Sequence, residues 1–448
     1  MATGPLPARE SWPAWLLAAT TLAYLNALAA AFQFDDYNII VDNPNVHSLA
    51  AWWQQALTLR PLLKLGYALN WSSGLGAFGF HATNLLLHLA NVALLWRLSA
   101  HFPRPGDWSP DRVRYARLLL LVLFALHPIQ SEAVTYVSGR SMSQMALFSL
   151  AGLLLWLEAG CRARPGVWRG AALLCFTAAV LSKEVALVVP LLLFLFPGYS
   201  VRRDAPWLAA FLLAVGVLLF LAFGYQRLLS EPLARGLGAN LASELNAVFY
   251  LLAQLLRPHA LNIDPDLPEL HGFSPLLALQ LSLLAAALAL AWWRRRQQPW
   301  FAFGLAWFLL LLLPTHSLIP RLDLASERHL YLAAIGIYWM IAIALAALLP
   351  APVRSGMVMA LALAGMGFTA VRNLDYRDEI SLWQATVTQS PGKARAWNNL
   401  GYAHKLAGRQ REARAAFVEA LRRDPGYRRA QANLRELDRL ANPTNPTR

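Results

Sequence analysis

Charged residues and cysteines are both scarce in this chain of 448 residues. Only 14% of the residues are charged and 57% are hydrophobic, a balance that excludes a soluble globular protein of this length. The two cysteines, Cys161 and Cys175, fall in a predicted cytoplasmic loop and inside a predicted span, so they indicate no disulfide framework. The first apolar run, 13–32, has no small-residue cleavage site after it and is interpreted as a retained span.

The charges that are present follow a membrane pattern. The net charge is +14, yet the arginines lie in short loops between apolar runs, which argues against nucleic-acid binding. Eleven apolar runs predict membrane-spanning helices: 13–32, 80–100, 113–128, 141–159, 167–181, 185–199, 206–224, 275–293, 299–316, 329–349 and 355–371. With Arg9 in the cytoplasm, most loop arginines fall inside and most acids outside, which is the positive-inside pattern.

Two apolar runs decide this topology. The run 167–199 is divided at Ser182-Lys183-Glu184, because a single helix would place Arg202 and Arg203 outside. The 12-residue run 246–257 is too short to span and is interpreted as a re-entrant or interfacial segment. The prediction is an all-α polytopic membrane protein of about 11 spans, with a cytoplasmic N-terminus and its C-terminus outside.

The composition becomes charged and soluble from Asp375 onward. We therefore divide the chain into a membrane domain, 1–374, and a repeat domain, 375–448. Within 394–427 the following residues match the spacing of one tetratricopeptide repeat: Trp397, Leu400, Gly401, Ala413, Phe417, Ala420 and Pro425. Residues 376–389 and 428–440 predict a preceding helix and a closing helix. So short an array is marginally stable alone, and we expect it to dock on the outer face of the membrane domain.

A pair of adjacent carboxylates, Asp35 and Asp36, follows the first predicted span. Carboxylates at the mouth of a span are costly to place there, which makes them a functional hypothesis; the alternative is a loop whose acids face water. The topology brings other ionisable residues to the same outer face: Asp42, Arg60, Lys64, His127, Glu132, Arg140, Lys183, Glu184, Arg321, Asp323, Glu327, Arg328 and His329.

Each of these residues also has a structural interpretation. Arg60 and Lys64 fit snorkelling anchors, His127 fits a satisfied histidine at a helix end, and Lys183-Glu184 fits a charged hairpin turn. The convergence of carboxylates and cations on one face favours transfer from a lipid phosphate. In that chemistry one carboxylate takes the acceptor's proton, and fixed cations hold the phosphate as its charge develops.

One predicted span, 80–100, carries polar residues at helical spacing: His81, Asn84, His88 and Asn91. A metal pair and a polar stripe packed against neighbouring spans both fit this pattern, and the stripe is favoured. We predict no structural metal, although a divalent ion remains compatible with the chemistry.

Several motifs resemble one known family along nearly the whole chain. They are Phe34-Asp35-Asp36-Tyr37 with Asp42-Asn43-Pro44, Arg60-Pro61-Leu62, Phe80-His81-Ala82-Thr83-Asn84 to Leu89, Leu126-His127-Pro128 to Val134 with Gly139-Arg140, Leu181-Ser182-Lys183-Glu184, Leu318-Ile319-Pro320, Ala325-Ser326-Glu327-Arg328-His329-Leu330-Tyr331, and Trp383. The sequence resembles the transmembrane and tetratricopeptide-repeat O-mannosyltransferases of the GT-C superfamily and their bacterial relatives.

The resemblance implies an inverting glycosyltransferase that uses a polyprenyl-phosphate-linked sugar, possibly mannose, on the periplasmic face of a bacterial inner membrane. The family's acidic motif falls on Asp35 and Asp36, of which Asp35 is the favoured base. The predicted phosphate ligands are Lys183, Arg321 and Arg328, with Arg60 and Arg140 behind them. Glu132, Glu184 and Glu327 are predicted to orient these cations, with His127 and His329 in support.

Other functions are weighed against this one. The acceptor is expected to be a protein hydroxyl, with the repeat domain as a candidate surface for engaging it, while a lipid or cell-surface glycan is the alternative acceptor. A transporter or flippase with a partner-recruiting repeat domain should show inverted repeats and polar groups at mid-span, and the sequence has neither. A membrane scaffold would not need so many ionisable groups on one face.

Overall fold

The computed structural model describes residues 12–199, 201–222, 235–317, 320–321 and 323–441, and within them the chain is helical with no β-strand. Arg9, the end of the predicted span 206–224, and Leu318 and Ile319 lie outside the described residues. The predicted all-α class is therefore confirmed for the described part of the chain.

The α-helices are numbered in chain order within the described residues. They are α1 (Ala14–Tyr24), α2 (Leu49–Gln54), α3 (Pro61–Ser72), α4 (Gly76–Leu98), α5 (Pro110–Leu126), α6 (Ser131–Val134), α7 (Arg140–Ala159), α8 (Pro165–Ser182), α9 (Val201–Ala222), α10 (Leu237–Gln254), α11 (Pro275–Arg294), α12 (Pro299–Leu312), α13 (Leu330–Leu348), α14 (Ala351–Asp375), α15 (Glu379–Gln389), α16 (Ala394–Leu406), α17 (Gln410–Arg423) and α18 (Arg428–Ala441). Segments of 3-10 or π-helix lie at Leu25–Ala29, Tyr37–Val41, Pro44–Val46, Ser99–His101, Pro128–Gln130, Val137–Gly139, Glu184–Leu195 and Glu327–His329.

The apolar helices coincide with the predicted spans. Among the described residues, 7 helices are long and apolar enough to cross a membrane, or up to 8 if the pair bent by 47° at His127 is one span. The three other predicted spans fall on shorter apolar helices, Ala14–Ala29, Glu184–Leu195 and Pro299–Leu312. Several apolar helices are thus confirmed, while the number that crosses the bilayer stays a prediction.

The helix interruption predicted at Lys183 is present. Helix α8 ends at Ser182, and Lys183 has extended backbone with φ −158° and ψ 127°. The following segment, Glu184–Leu195, is a 3-10 helix that contains Pro190, and proline cannot donate to an α-helical ladder. The other ambiguous run, 246–257, lies largely within α10, which begins nine residues earlier at Leu237 and extends to Gln254.

Helices α12 and α13 cross at two glycines inside the apolar core. A Cβ added to Gly304 would lie 2.6 Å from the carbonyl oxygen of Gly336, and a Cβ on Gly336 would overlap the backbone of Gly304. Small residues at a crossing let two membrane helices approach closely and gain dispersion contacts. Trp307 and Trp339, one from each helix, are fully buried beside this crossing and fill the interior.

The repeat domain is formed by α15 to α18. Gly401 in α16 faces Phe417 in α17, and a Cβ at position 401 would stand 2.6 Å from the phenyl ring. This contact explains why the repeat has glycine at one position and a large side chain at the other. The helix predicted at 376–389 begins at Glu379, and the closing helix predicted at 428–440 is α18.

Candidate active site

The two acidic side chains after α1 face different surroundings. Phe34 has a positive φ of 46°, so the chain reverses just before them. Asp36 is 1% exposed: Oδ1 accepts hydrogen bonds from Ser138 N–H at 2.8 Å and from Ser138 Oγ, and Oδ2 accepts one from Gln33 N–H at 3.1 Å. Burial raises the pKa of Asp36 to about 7 against the lowering effect of these bonds. Asp36 therefore stabilises the loop after α1 by joining Gln33 to Ser138.

Asp35 faces a small cavity instead. Its backbone N–H donates to the Tyr136 hydroxyl at 3.0 Å, and its side chain lines a cavity of about 30 Å³ together with Glu132, Tyr136 and Arg328. Burial raises the pKa of Asp35, while Arg328 lowers it. A carboxylate of raised pKa that opens on a cavity is suited to accept a proton near neutral pH.

Arg328 lies beside that cavity on the loop before α13. Its backbone N–H donates to Glu132 Oε2 at 2.8 Å, and its Nε stands 3.5 Å from Glu132 Oε1. Glu132 Oε1 also accepts from Ser326 Oγ at 2.6 Å, so one buried carboxylate fixes the loop. Arg328 Nε is buried and makes no further hydrogen bond among the described residues, so Glu132 is the carboxylate that holds this guanidinium beside the cavity.

Lys183 and Arg60 occupy the neighbouring part of the site. Arg60 forms a bidentate pair with Glu184, with Nε–Oε2 2.9 Å and NH2–Oε1 2.7 Å. Lys183 is 4% exposed, and its ammonium lies 3.4 Å from Ser141 Oγ. It forms no ion pair within the part of the chain that the structure describes. A buried cation without a contacting counter-ion is costly, and a bound anion would add to the partial compensation that Glu184 gives.

Electrostatic coupling shows that the cations converge. Burial lowers the pKa of Lys183 well below its usual value; Arg328, Arg60 and Arg321 lower it further, while Glu184 opposes them. Burial likewise lowers the pKa of Arg321, which Arg60 and Arg328 lower in turn while Glu184 opposes them. Glu184 pairs with Arg60 and Glu132 pairs with Arg328, so carboxylates offset part of the positive charge of the cluster. A cluster that keeps more cations than paired carboxylates would suit a phosphate ligand.

Three predicted site residues have structural roles instead. Arg140 is 0% exposed and donates to Asn84 Oδ1 at 2.6 Å and to Phe80 O at 2.8 Å, so it ties α7 to α4 and is unavailable to a donor phosphate. His127 accepts from Ile129 N–H and bonds Leu255 O, as a satisfied histidine at a helix end does. Glu327 pairs with Arg372 at 3.2 Å and not with a predicted cation.

His329 belongs to a buried chain of polar contacts that the sequence reasoning missed. Its Nδ1 lies 3.1 Å from His316 Nε2, and His316 Nδ1 lies 2.7 Å from Glu244 Oε2. Because a carboxylate accepts, Nδ1 of His316 carries the hydrogen. Arg235 stands 3.6 Å from the same glutamate. The Glu-His-His order spans three separate elements, so no local pattern announces it.

The repeat domain also reaches the cavity beside Asp35. Trp383 and Arg395 line it, although neither was predicted to do so. Arg395 binds Asp264 through two bonds of 2.7 and 2.5 Å and binds Asp323 at 2.5 Å. Lys393 adds a pair with Asp264 at 2.5 Å. The repeat domain therefore docks on the membrane domain, as expected. Its basic residues Lys393 and Arg395 were the sequence feature that could have predicted these contacts.

The polar stripe of α4 packs against other helices. His88 lies 2.7 Å from the Tyr331 hydroxyl and 3.1 Å from Ala125 O, and Asn91 donates to Ser143 O at 2.8 Å. His81 bonds Ala30 O at 3.0 Å. The stripe therefore connects spans, as favoured from the sequence. Among the described residues, no three His, Cys, Asp or Glu side chains form a group that could hold a metal ion.

Comparison with known proteins adds two findings. The tetratricopeptide repeat family model matches residues 394–427, which are the bounds predicted from the sequence. No solved structure matches the chain.

Curated relatives match along most of the chain. Protein O-mannosyl-transferase Tmtc2 of Drosophila melanogaster is 31% identical over 281 residues, covering 54% of this chain and 29% of that protein. A protein O-mannosyl-transferase of Caenorhabditis elegans is 23% identical over 459 residues, covering 92% of this chain and 62% of that protein. Tmtc3 of Drosophila melanogaster is 25% identical over 503 residues, covering 90% and 54%.

This chain spans between 29% and 62% of the length of these relatives. The resemblance predicted from the sequence is confirmed: the homologues of this chain are protein O-mannosyl-transferases of the Tmtc type, and the chain carries a tetratricopeptide repeat.

Proposed function

We propose that this chain is a membrane glycosyltransferase that moves mannose from a polyprenyl-phosphate donor to a protein hydroxyl. The observation that carries the proposal is that Asp35 and Arg328 line one cavity, while Arg60, paired with Glu184 next to Lys183, lies close enough to Lys183, Arg321 and Arg328 for their charges to interact. The names of the similar proteins supply the sugar and the class of acceptor. The positive charge of the site supports a phosphate-linked donor. The distribution of arginines among the loops supports the proposed side of the membrane.

The reaction divides between the carboxylate and the cations. The acceptor oxygen attacks C1 of the sugar while the bond from C1 to the phosphate oxygen breaks, so the configuration at C1 inverts. Asp35 accepts the hydroxyl proton, and polyprenyl phosphate leaves with the bonding electron pair. Asp36 cannot share this role readily, because three donors already occupy its oxygens.

The cations stabilise the leaving phosphate. Lys183 presents a buried ammonium that forms no ion pair among the described residues, and Arg328 lines the cavity beside Asp35. Arg60 is held in place by its bidentate bond to Glu184, and Arg328 by Glu132. Cations fixed in advance stabilise developing charge without reorganising during the reaction.

The proposed location is the bacterial inner membrane, with the site and the repeat domain on the periplasmic side. This orientation places the charge pattern of the loops in agreement with the positive-inside rule. The donor then reaches the site from the lipid bilayer and the acceptor from the periplasm. The short repeat domain is proposed to engage the protein acceptor. A lipid or a glycan is the alternative acceptor.

The test uses the purified full chain in lipid nanodiscs with radiolabelled short-chain polyprenyl-phosphate mannose. We expect label to move to an unfolded polypeptide rich in serine and threonine, with inverted configuration. Transfer to a glycan or lipid acceptor alone would replace the protein acceptor. Movement of the intact donor across sealed vesicles, without transfer to any acceptor, would replace the enzyme by a flippase.

A further inference from the structure

We propose that the repeat domain is part of the active site, because Glu379 and Trp383 of α15 position Asp35 by holding Phe34. This inference rests on the proposed function and adds positioning residues to it. It assigns to the repeat domain a role in turnover that is separate from recruitment of an acceptor.

The first observation is the backbone of Phe34. Its φ of 46° lies in the left-handed region, which a bulky side chain rarely occupies without support. Such conformations persist where the surrounding structure determines them, and they are concentrated at functional sites. Phe34 directly precedes Asp35, so its conformation sets the direction of the proposed base.

The second observation is what surrounds Phe34. Its backbone N–H donates to Glu379 Oε1 at 2.6 Å, and its ring packs edge-on against the buried Trp383 at 5.0 Å between centroids. Both partners lie in α15. The N-terminal side of the loop is held as well, since Ala31 N–H donates to Arg377 O at 3.1 Å. The left-handed residue is thus clamped by the segment that opens the repeat domain.

The third observation is where the clamp leaves Asp35. The reversal at Phe34 separates the two carboxylates, with Asp36 directed to Ser138 and Asp35 directed to the cavity. Trp383 contacts Phe34 and also lines that cavity. Release of Phe34 to an extended conformation would therefore move the base and remove one wall of the site together.

The repeat domain contacts the membrane domain at a second place, which helps to fix the position of α15 relative to Phe34. Arg395 joins Asp264, in the segment between α10 and α11, to Asp323, and Ser390 Oγ accepts from Asp266 N–H at 2.9 Å. Two separate attachments fix the orientation of a small domain better than one. A domain that served only to collect acceptors would not need to contact the residue beside the base.

The experiment compares Glu379→Ala and Trp383→Ala with Glu379→Gln and Trp383→Phe in the full chain. Glutamine keeps an acceptor oxygen and phenylalanine keeps an aromatic ring, so both should restore most of the turnover. Matched controls are Glu412→Ala and Tyr402→Ala, which remove one exposed acidic and one exposed aromatic side chain from the repeat domain. Each variant is assayed with saturating short-chain polyprenyl-phosphate mannose and a short peptide acceptor.

We expect the two alanine variants to lose on the order of a hundredfold in kcat, since small displacements of a catalytic group have effects of that size. Donor affinity should stay unchanged, and hydrogen–deuterium exchange of the amides at 33–37 should rise. In a Phe34→Gly background, Glu379→Ala should cost less, because glycine adopts positive φ without support.

Three outcomes decide the matter. A rise in acceptor KM with unchanged kcat would overturn the inference and leave a recruiting domain. Loss of kcat with unchanged exchange at 33–37 would overturn the clamp. Absence of mannosyl transfer by the unmodified chain would refute the proposed function instead, while the exchange measurement would still report whether Glu379 and Trp383 hold the loop.

Discussion

Asp323 and Arg395 form an ion pair of 2.5 Å across the cavity that holds Asp35, and they act on that carboxylate with opposite sign. Burial is the main cause that raises the pKa of Asp35; Arg328 and Arg395 lower it, and Asp323 raises it. The pair therefore joins the repeat domain to the membrane domain and also tunes the proposed base.

The pH dependence of turnover follows from these signs. Asp35 must be ionised to accept a proton, so kcat/KM should fall as the pH drops through its raised pKa. Asp323→Asn removes a negative neighbour and should move this acidic limb to lower pH. Arg395→Gln removes a positive neighbour and should move it to higher pH. The measurement is a pH–rate profile of each variant, with Asp438→Asn in the exposed part of α18 as the control.

The prediction is that the acidic limb of the pH–rate profile moves in opposite directions in Asp323→Asn and Arg395→Gln. A limb that moves the same way in both variants, or that does not move, would mean that another group governs the profile. Loss of amplitude without displacement in Arg395→Gln would report only the loosened attachment of the repeat domain.

Arg60 should need its guanidinium and not merely its charge. Arg60→Lys keeps a cation but removes the bidentate bond to Glu184, so the charge is no longer held in one direction. Donor Kd should rise by about tenfold, the order expected for loss of one charge-assisted hydrogen bond. The matched control is Arg97→Lys, which pairs with Glu158 at the C-terminal ends of α4 and α7, away from the proposed site. Equal donor affinity in wild type and Arg60→Lys would remove Arg60 from the phosphate site.

Local patterns in the sequence predicted the elements of the fold. Apolar run length placed the helices, the break at Lys183 followed from loop charge, and the spacing around Gly401 located the repeat. These features depend on neighbours in the chain. The partners of Arg140 and Glu327 could not be predicted in the same way, since Asn84 and Arg372 are 56 and 45 residues away.

The same limit explains the residues that were missed. The Glu244–His316–His329 contacts and the clamp on Phe34 join segments that only the folded chain brings together. The difference between Asp35 and Asp36 depends on the positive φ of Phe34, and a phenylalanine at that position gives no signal of it.

The helix pair of the repeat should tolerate neither a larger residue at its contact nor a charge in it. Gly401→Trp forces a side chain into the Phe417 ring, and Phe417→Asp buries a carboxylate without a partner. Each should destabilise the repeat domain by at least about 2 kcal/mol. The measurement is protease susceptibility of 375–441 together with transfer to a short peptide. Because α15 holds Phe34, transfer should fall as well; full transfer with an unfolded repeat would contradict the clamp.

The topology predicts that the repeat domain lies outside the cytoplasm. Eleven spans with Arg9 inside require it. A reporter that is active only in the cytoplasm, fused after residue 441, should be silent, and a periplasmic reporter at the same place should be active. The control fuses both reporters in the arginine-bearing loop 160–164, where the pattern should reverse. Cytoplasmic activity after residue 441 would overturn the span count and the sidedness of the site.

The central claim is that Asp35 is the base and that the cations beside it hold the donor phosphate. The most direct measurement is donor binding and turnover on the same preparations of Asp35→Asn, Asp36→Asn and Lys183→Ala. Asp35→Asn keeps the shape of the side chain and removes its basicity. It should lower turnover by on the order of a hundredfold or more with donor binding intact.

The other two variants separate the roles. Asp36→Asn should perturb the loop through its bonds to Ser138 and cost less turnover than Asp35→Asn. Lys183→Ala should weaken donor binding as well as turnover, because it removes a buried charge from the phosphate site. Normal turnover in Asp35→Asn, or unchanged donor binding in Lys183→Ala, would contradict the account.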